Sequence, residues 1–154
     1  MSIAASQGLP NLFTINIPAQ GDGTIGLGYI NQNEYTGDIS YVDTHGSRQR
    51  TISGRRIRFG TSNPRILHGH DKNILVDSGS AAIYLPQHLA MQYYEAITGH
   101  TPQNPGYTRA GNQYLVHPNA VFPDIHIDFG NYILPIYGNR MRRSLLGNGK
   151  VLLI

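Results

Sequence analysis

Short apolar stretches, separated by segments rich in glycine, proline and asparagine, point this chain to a sheet-rich architecture. Phe13, Ile15 and Ile17 alternate with Thr14 and Asn16 before Pro18, the period of a half-buried strand. Gly21-Asp22-Gly23 then reads as a hairpin turn, and Ile25, Leu27 and Tyr29 alternate again. Gly26 and Gly28 fall inside that second strand, where another element can approach the backbone closely. Ile39 to Val42 reads as the next strand and Thr51 to Phe59 as a longer one with arginines on its wet face. Ile74-Leu75-Val76 is a short continuous apolar run, the mark of a strand buried on both sides. Strands resume at Tyr114 to Val116, Ile125 to Ile127 and Tyr132 to Leu134 after a loop over residues 100–112. With 18 Gly, 9 Pro and 10 Tyr but no Trp in 154 residues, the composition fits a turn-rich β protein large enough for a real core.

One segment breaks the two-residue period. Leu89, Tyr93 and Ile97 recur every four residues behind Pro86, and Gly99 follows, which predicts a helix over about 86–98.

The chemistry concentrates at Ile74-Leu75-Val76-Asp77-Ser78-Gly79-Ser80, where an apolar strand runs straight into an acid followed by hydroxyl, glycine, hydroxyl. A carboxylate in that position is costly unless it is hydrogen-bonded. Ser78 and Ser80 supply hydroxyls, and Gly79 lets the backbone turn so that its N–H groups face the acid. The arrangement occurs once in the chain. Asp22, Asp38, Asp124 and Asp128 lack the hydroxyl–glycine pair and read as turn or surface acids. Asp71 lies too near in sequence to face Asp77 across a cleft.

Other functional classes have thinner support. Arg48, Arg50, Arg55, Arg56, Arg58 and Arg65 hold half of the 12 basic residues, and Arg140, Arg142, Arg143 and Lys150 form a second cluster. Such clusters suit phosphate contacts, but only Phe59 lies among them to stack on a base. His68 and His70, with His45, are a weak basis for a metal site and read as solvated loop histidines; no metal or other cofactor is expected. The absence of Cys excludes a disulfide framework, and no apolar run reaches the length of a membrane span. Met1 to Pro10 does not have the pattern of a signal peptide.

Several blocks, taken in order, carry a resemblance. Phe13-Thr14-Ile15, Gly26 to Ile30, and Tyr35-Thr36-Gly37-Asp38-Ile39-Ser40-Tyr41-Val42 resemble the opening of the C-terminal lobe of the pepsin-like aspartic endopeptidases, especially the fungal secreted type. Val76 to Pro86 resembles the active-site loop of that lobe, and Phe122-Pro123-Asp124-Ile125 a later strand. The resemblance implies a mainly β fold, one lobe of the pepsin-like barrel. It implies a disordered segment at 1–11, the lobe at 12–137 and a divergent or truncated tail at 138–154. Leu145 to Asn148 would be the remnant of a further family segment.

It also implies peptide-bond hydrolysis by a water activated between two aspartates. Asp77 would be one of them, with Ser78, Gly79 and Ser80 as substrate-binding residues. The partners would be a peptide or protein substrate and either a missing N-terminal lobe or a second copy of the chain, with no membrane. The expected location is extracellular or vacuolar. The alternatives are an inactive half-domain that binds peptide or a partner, and, more weakly, a basic nucleic-acid-binding β domain.

Overall fold

The computed structural model describes residues 6–18, 20–45, 50–80, 83–97, 107–110, 113–116, 120–141, 143–145 and 151–153. The chain divides into two compact units, Met1–Ile39 and Ser40–Ile154.

The first unit is built on an antiparallel hairpin of β1 (Phe13–Asn16) and β2 (Thr24–Leu27), paired from Phe13↔Leu27 to Asn16↔Thr24. Its glycines serve close approach, as the sequence predicts. A Cβ on Gly26 would stand 3.2 Å from the Tyr29 ring, and Gly28 takes a left-handed φ of +78° with Leu9 against it. A short helical turn, Gln32–Glu34, is capped by the Asn31 side chain, which accepts from Asn33 N–H at 3.1 Å.

Among the described residues the second unit holds three antiparallel sheets. The first, in order β3-β4-β7, joins β3 (Thr44–His45), β4 (Thr51–Ser53) and β7 (Asn73–Leu75). The second has the order β11-β10-β5-β6, from β5 (Arg56–Phe59), β6 (Arg65–Ile66), β10 (Ile125–Asp128) and β11 (Ile133–Ile136). The third has the order β12-β13-β9-β8, from β8 (Tyr107–Ala110), β9 (Gln113–Val116), β12 (Arg143–Leu145) and β13 (Val151–Leu153). A nine-residue helix, α1 (Gln87–Glu95), lies between β7 and β8 in the chain. The mainly β architecture with a short helix matches the sequence reading.

The core follows the two periodicities. Ile57 and Phe59 of β5 and Ile125 and Ile127 of β10 turn inward, while Arg56 stays exposed. From the helix come Leu89, Tyr93 and, just past its end, Ile97, the last 0% exposed. Burying such a side chain stabilises by about 1.5–3 kcal/mol. Pro86 stands just ahead of α1, and its carbonyl accepts from the N–H groups of Leu89 and Ala90, both at 2.9 Å. Gly99 lies outside the described residues.

Several strand boundaries differ from expectation. Ile39 to Val42 is not a strand; the Tyr41 carbonyl is satisfied instead by the Asn131 side-chain amide at 3.1 Å. Thr51 to Phe59 is not one strand but two. At Gly54 the chain leaves the β3-β4-β7 sheet and enters the sheet containing β5: Gly54 N–H donates to Lys72 C=O at 2.9 Å and Arg55 N–H to Asp128 C=O at 2.7 Å. Gly54 is buried, and a Cβ there would meet Ile74 Cδ1 at 2.7 Å and Leu67 Cδ1 at 3.0 Å. The run Ile74 to Val76 is not buried on both sides. Here β7 is a sheet edge, with Ile74 half-buried and Leu75 and Val76 46% and 63% exposed.

Part of the expected 100–112 loop forms β8, whose Tyr107 packs on Tyr94 with ring centroids 5.6 Å apart. The rest of that loop lies outside the described residues. Strand β11 runs through Pro135, which an edge strand tolerates.

Candidate active site

Strand β7 delivers Asp77 to a tight turn at the wall of a cavity of about 720 Å³. The lining is largely apolar, with Ile57 and Ile127 from the core sheet, Val76 and Leu85 from the segment around the acid, and Leu89 from α1. Polar groups at the wall are Asp77, Ser80, His70, Asp71, Asn73 and Arg140. A mostly apolar hollow with a few placed polar groups is the usual form of a ligand site.

The acid is held by its own turn. Asp77 Oδ1 accepts from Gly79 N–H at 2.9 Å, and Oδ2 accepts from the Ser80 hydroxyl at 2.7 Å. Ser80 N–H also reaches back to the Asp77 carbonyl at 3.4 Å. Both carboxylate oxygens are therefore bonded within three residues of the acid, an arrangement that short polar side chains and glycine make possible. These bonds favour the charged form: first the Ser80 hydroxyl and then the Gly79 N–H hold the Asp77 carboxyl below the usual carboxylate range. The side chain remains exposed, so it can meet water and a ligand.

Of the three neighbours proposed from sequence, Gly79 and Ser80 bond the carboxylate, and Ser80 also lines the cavity. Ser78 is an exposed turn residue, and its hydroxyl is not among the donors to Asp77. Replacing Ser80 by alanine removes the larger cause of the lowered value. The Asp77 midpoint, followed by carboxyl carbon resonances, should rise toward the ordinary carboxylate range. A group depressed in the folded state lends stability above its unfolded midpoint and loses it as pH falls through the folded one. In Ser80→Ala that contribution should therefore be smaller, and its loss on acidification complete at a higher pH.

Two of the remaining acids have structural work. Asp124 Oδ1 accepts from Gly138 N–H at 2.8 Å, and Asp128 Oδ1 from Gly130 N–H at 2.6 Å. Asp22 and Asp38 are exposed in the first unit. Asp71, set aside from sequence because it is near Asp77 in the chain, lines the same cavity. Its Oδ2 is engaged by His88 Nε2 at 3.0 Å, a contact sequence reasoning missed. The basic clusters are only partly described, but Phe59 is 3% exposed and so cannot stack on a base. His45 Nε2 stands 3.4 Å from both Asn73 Oδ1 and Ser53 Oγ.

Against known proteins, the family model described as eukaryotic aspartyl protease matches residues 9–144. The chain belongs to the eukaryotic aspartyl protease family. Among curated relatives, aspergillopepsin-1 of Aspergillus pseudoglaucus is 24% identical over 142 residues, 90% of this chain and 34% of the relative. Penicillopepsin-2 of Penicillium janthinellum is 23% identical over 141 residues, again 90% of this chain and 33% of the relative. The aspartic protease pepA of Leptosphaeria maculans is 27% identical over 135 residues, 86% of this chain and 31% of the relative. The chain thus spans about a third of the length of these proteins. Its mainly β structure is that of a pepsin-like lobe, with Asp77 on the loop between β7 and α1.

Proposed function

We propose that this aspartyl protease chain supplies one of two water-activating carboxylates for endopeptidase chemistry, and that Asp77 is that carboxylate. The observation that carries the reading is the pair of bonds from Gly79 and Ser80, which keep an exposed acid ionised at the wall of an apolar cavity. Two carboxylates close together share one proton, because two like charges at short range do not both persist. The acid whose charged form is hydrogen-bonded is the natural base of such a pair, and Asp77 has that support.

In this mechanism Asp77 takes a proton from water as the water oxygen attacks the peptide carbonyl carbon. The protonated partner acid donates a hydrogen bond to the carbonyl oxygen, where negative charge develops. Collapse of the tetrahedral intermediate re-forms the C=O and breaks the C–N bond as Asp77 passes the proton it took from water to the leaving nitrogen. The chemistry requires no covalent enzyme intermediate. Gly79 and Ser80 would face the extended peptide backbone, and the apolar wall would receive a side chain. The partner acid would come from a second lobe or a second copy of this chain. The need for one shared proton fits an acidic location, outside the cell or in a vacuole.

The test is cleavage of an unfolded protein between pH 2 and 6, with and without pepstatin, read by mass spectrometry of the fragments. New termini formed at acid pH and suppressed by pepstatin are expected. Pepstatin binding without new termini would favour the alternative of a peptide-binding half-domain. Neither binding nor cleavage would remove both readings.

A further inference from the structure

The contact between His88 and Asp71 has no part in the mechanism above. Asp71 belongs to a short helical turn, Gly69–Lys72, that leads directly into β7, and His88 is the second residue of α1. The acid-bearing turn lies in the segment between these two elements. The imidazole Nε2 and carboxylate Oδ2 are 3.0 Å apart, so one side-chain contact closes the ends of that segment. Asp71 itself lines the cavity that Asp77 lines. The side chains are 31% exposed for Asp71 and 56% for His88, so solvent screens the pair.

We infer that Asp71 and His88 are positioning residues, a clasp on the two ends of the Asp77 segment that tightens when both are charged. The inference rests on the reading of Asp77 as the reacting carboxylate. For ordinary side chains, an imidazole and a carboxylate are both charged only between about pH 4 and 6.5. Above that window the neutral ring still donates one hydrogen bond, but a charge-assisted bond is about twice as strong. The clasp therefore loosens rather than parts. Other charged or titratable groups nearby are His70 and Lys72 on the same turn, Asp77 and Arg140 on the cavity wall, and Glu95 at the far end of α1. Imidazole is the one basic side chain suited to a charge step near neutral pH, and this neighbourhood holds two, His70 and His88. Substitution at His88 separates them.

The experiment measures water exchange of the Gly79 and Ser80 amides by NMR at pH 5.5 and 7.5, corrected for intrinsic rates, on the full chain. Gly79 N–H is the group that bonds Asp77 Oδ1, so its protection reports the order of the turn directly. Wild type should be about twofold to fivefold better protected at pH 5.5, the range of a partly exposed ion pair. His88→Gln should show the lower protection at both pH values. His88→Lys, charged throughout, should keep the higher protection at both, which a purely structural role for the ring would not give. A wild-type chain without the step, or the same step in His88→Gln, overturns the clasp. Cleavage by wild type and Asp77→Asn is measured in parallel. Cleavage indifferent to Asp77 alongside the expected exchange data would sink the catalytic reading and leave the clasp standing. Cleavage that depends on Asp77 without the step would do the reverse.

Discussion

Asp77→Asn is expected to lower peptide-bond cleavage by about a thousandfold or more while leaving the fold unchanged. The substitution isolates charge from shape. Asparagine keeps an oxygen that can accept from Gly79 N–H, and its amide can still meet the Ser80 hydroxyl, so the turn has no reason to open. What disappears is the charge that the proposed role as base requires: a neutral amide does not take a proton from water. Because the side chain is exposed and asparagine can keep the turn's hydrogen bonds, thermal unfolding of the variant should lie close to that of wild type near neutral pH. Asp77→Ala is the useful contrast, since it removes both the proposed base and the acceptor that orders residues 78–80. Retention of most cleavage in Asp77→Asn would show that another group activates the water.

The largest effect on stability is expected at Tyr93. Its ring is 2% exposed and meets Phe59 edge-on at 5.4 Å and Tyr94 at 5.9 Å, and its hydroxyl donates to the Pro123 carbonyl at 3.2 Å. Tyr93→Ala deletes this hub and leaves a cavity between α1 and the sheet beneath it, at a cost of about 3–5 kcal/mol. Domains of this size are stable by roughly 5–15 kcal/mol, so the variant should lose a large share of its stability and unfold at a much lower urea concentration. Tyr93→Phe keeps the ring and loses only the hydroxyl, for about 1 kcal/mol. Urea titrations followed by circular dichroism measure both. Equal losses would mean that the hydroxyl, not the ring packing, holds this region. Burial raises the Tyr93 phenol well above its ordinary value, with Tyr94 and Asp124 adding to the shift, so it stays a donor throughout the working range.

How much of this was legible in the residues depends on the range of the interaction. The helix was, because Leu89, Tyr93 and Ile97 share one face and need only the local period to be seen. The turn at Asp77 was legible because its donors, Gly79 and Ser80, lie within three residues. The split of Thr51 to Phe59 was hidden. It depends on Gly54 packing under Ile74 and Leu67, which lie 20 and 13 positions further on. Likewise Ile39 to Val42 has the composition of a strand, yet its Tyr41 carbonyl bonds a side-chain amide 90 residues away. His88 carried no signal either, since Asp71 reaches it only after β7 and the acid's turn have folded back.

Gly54 has a consequence for how the second unit comes apart. The backbone at residues 54 and 55 is fastened on one side to the turn before β7 and on the other to the end of β10. Neither sheet can fray past that point without unhitching the other, so losses do not stay local. The layer that presents the acid and the layer that forms most of the core should therefore melt as a single cooperative block.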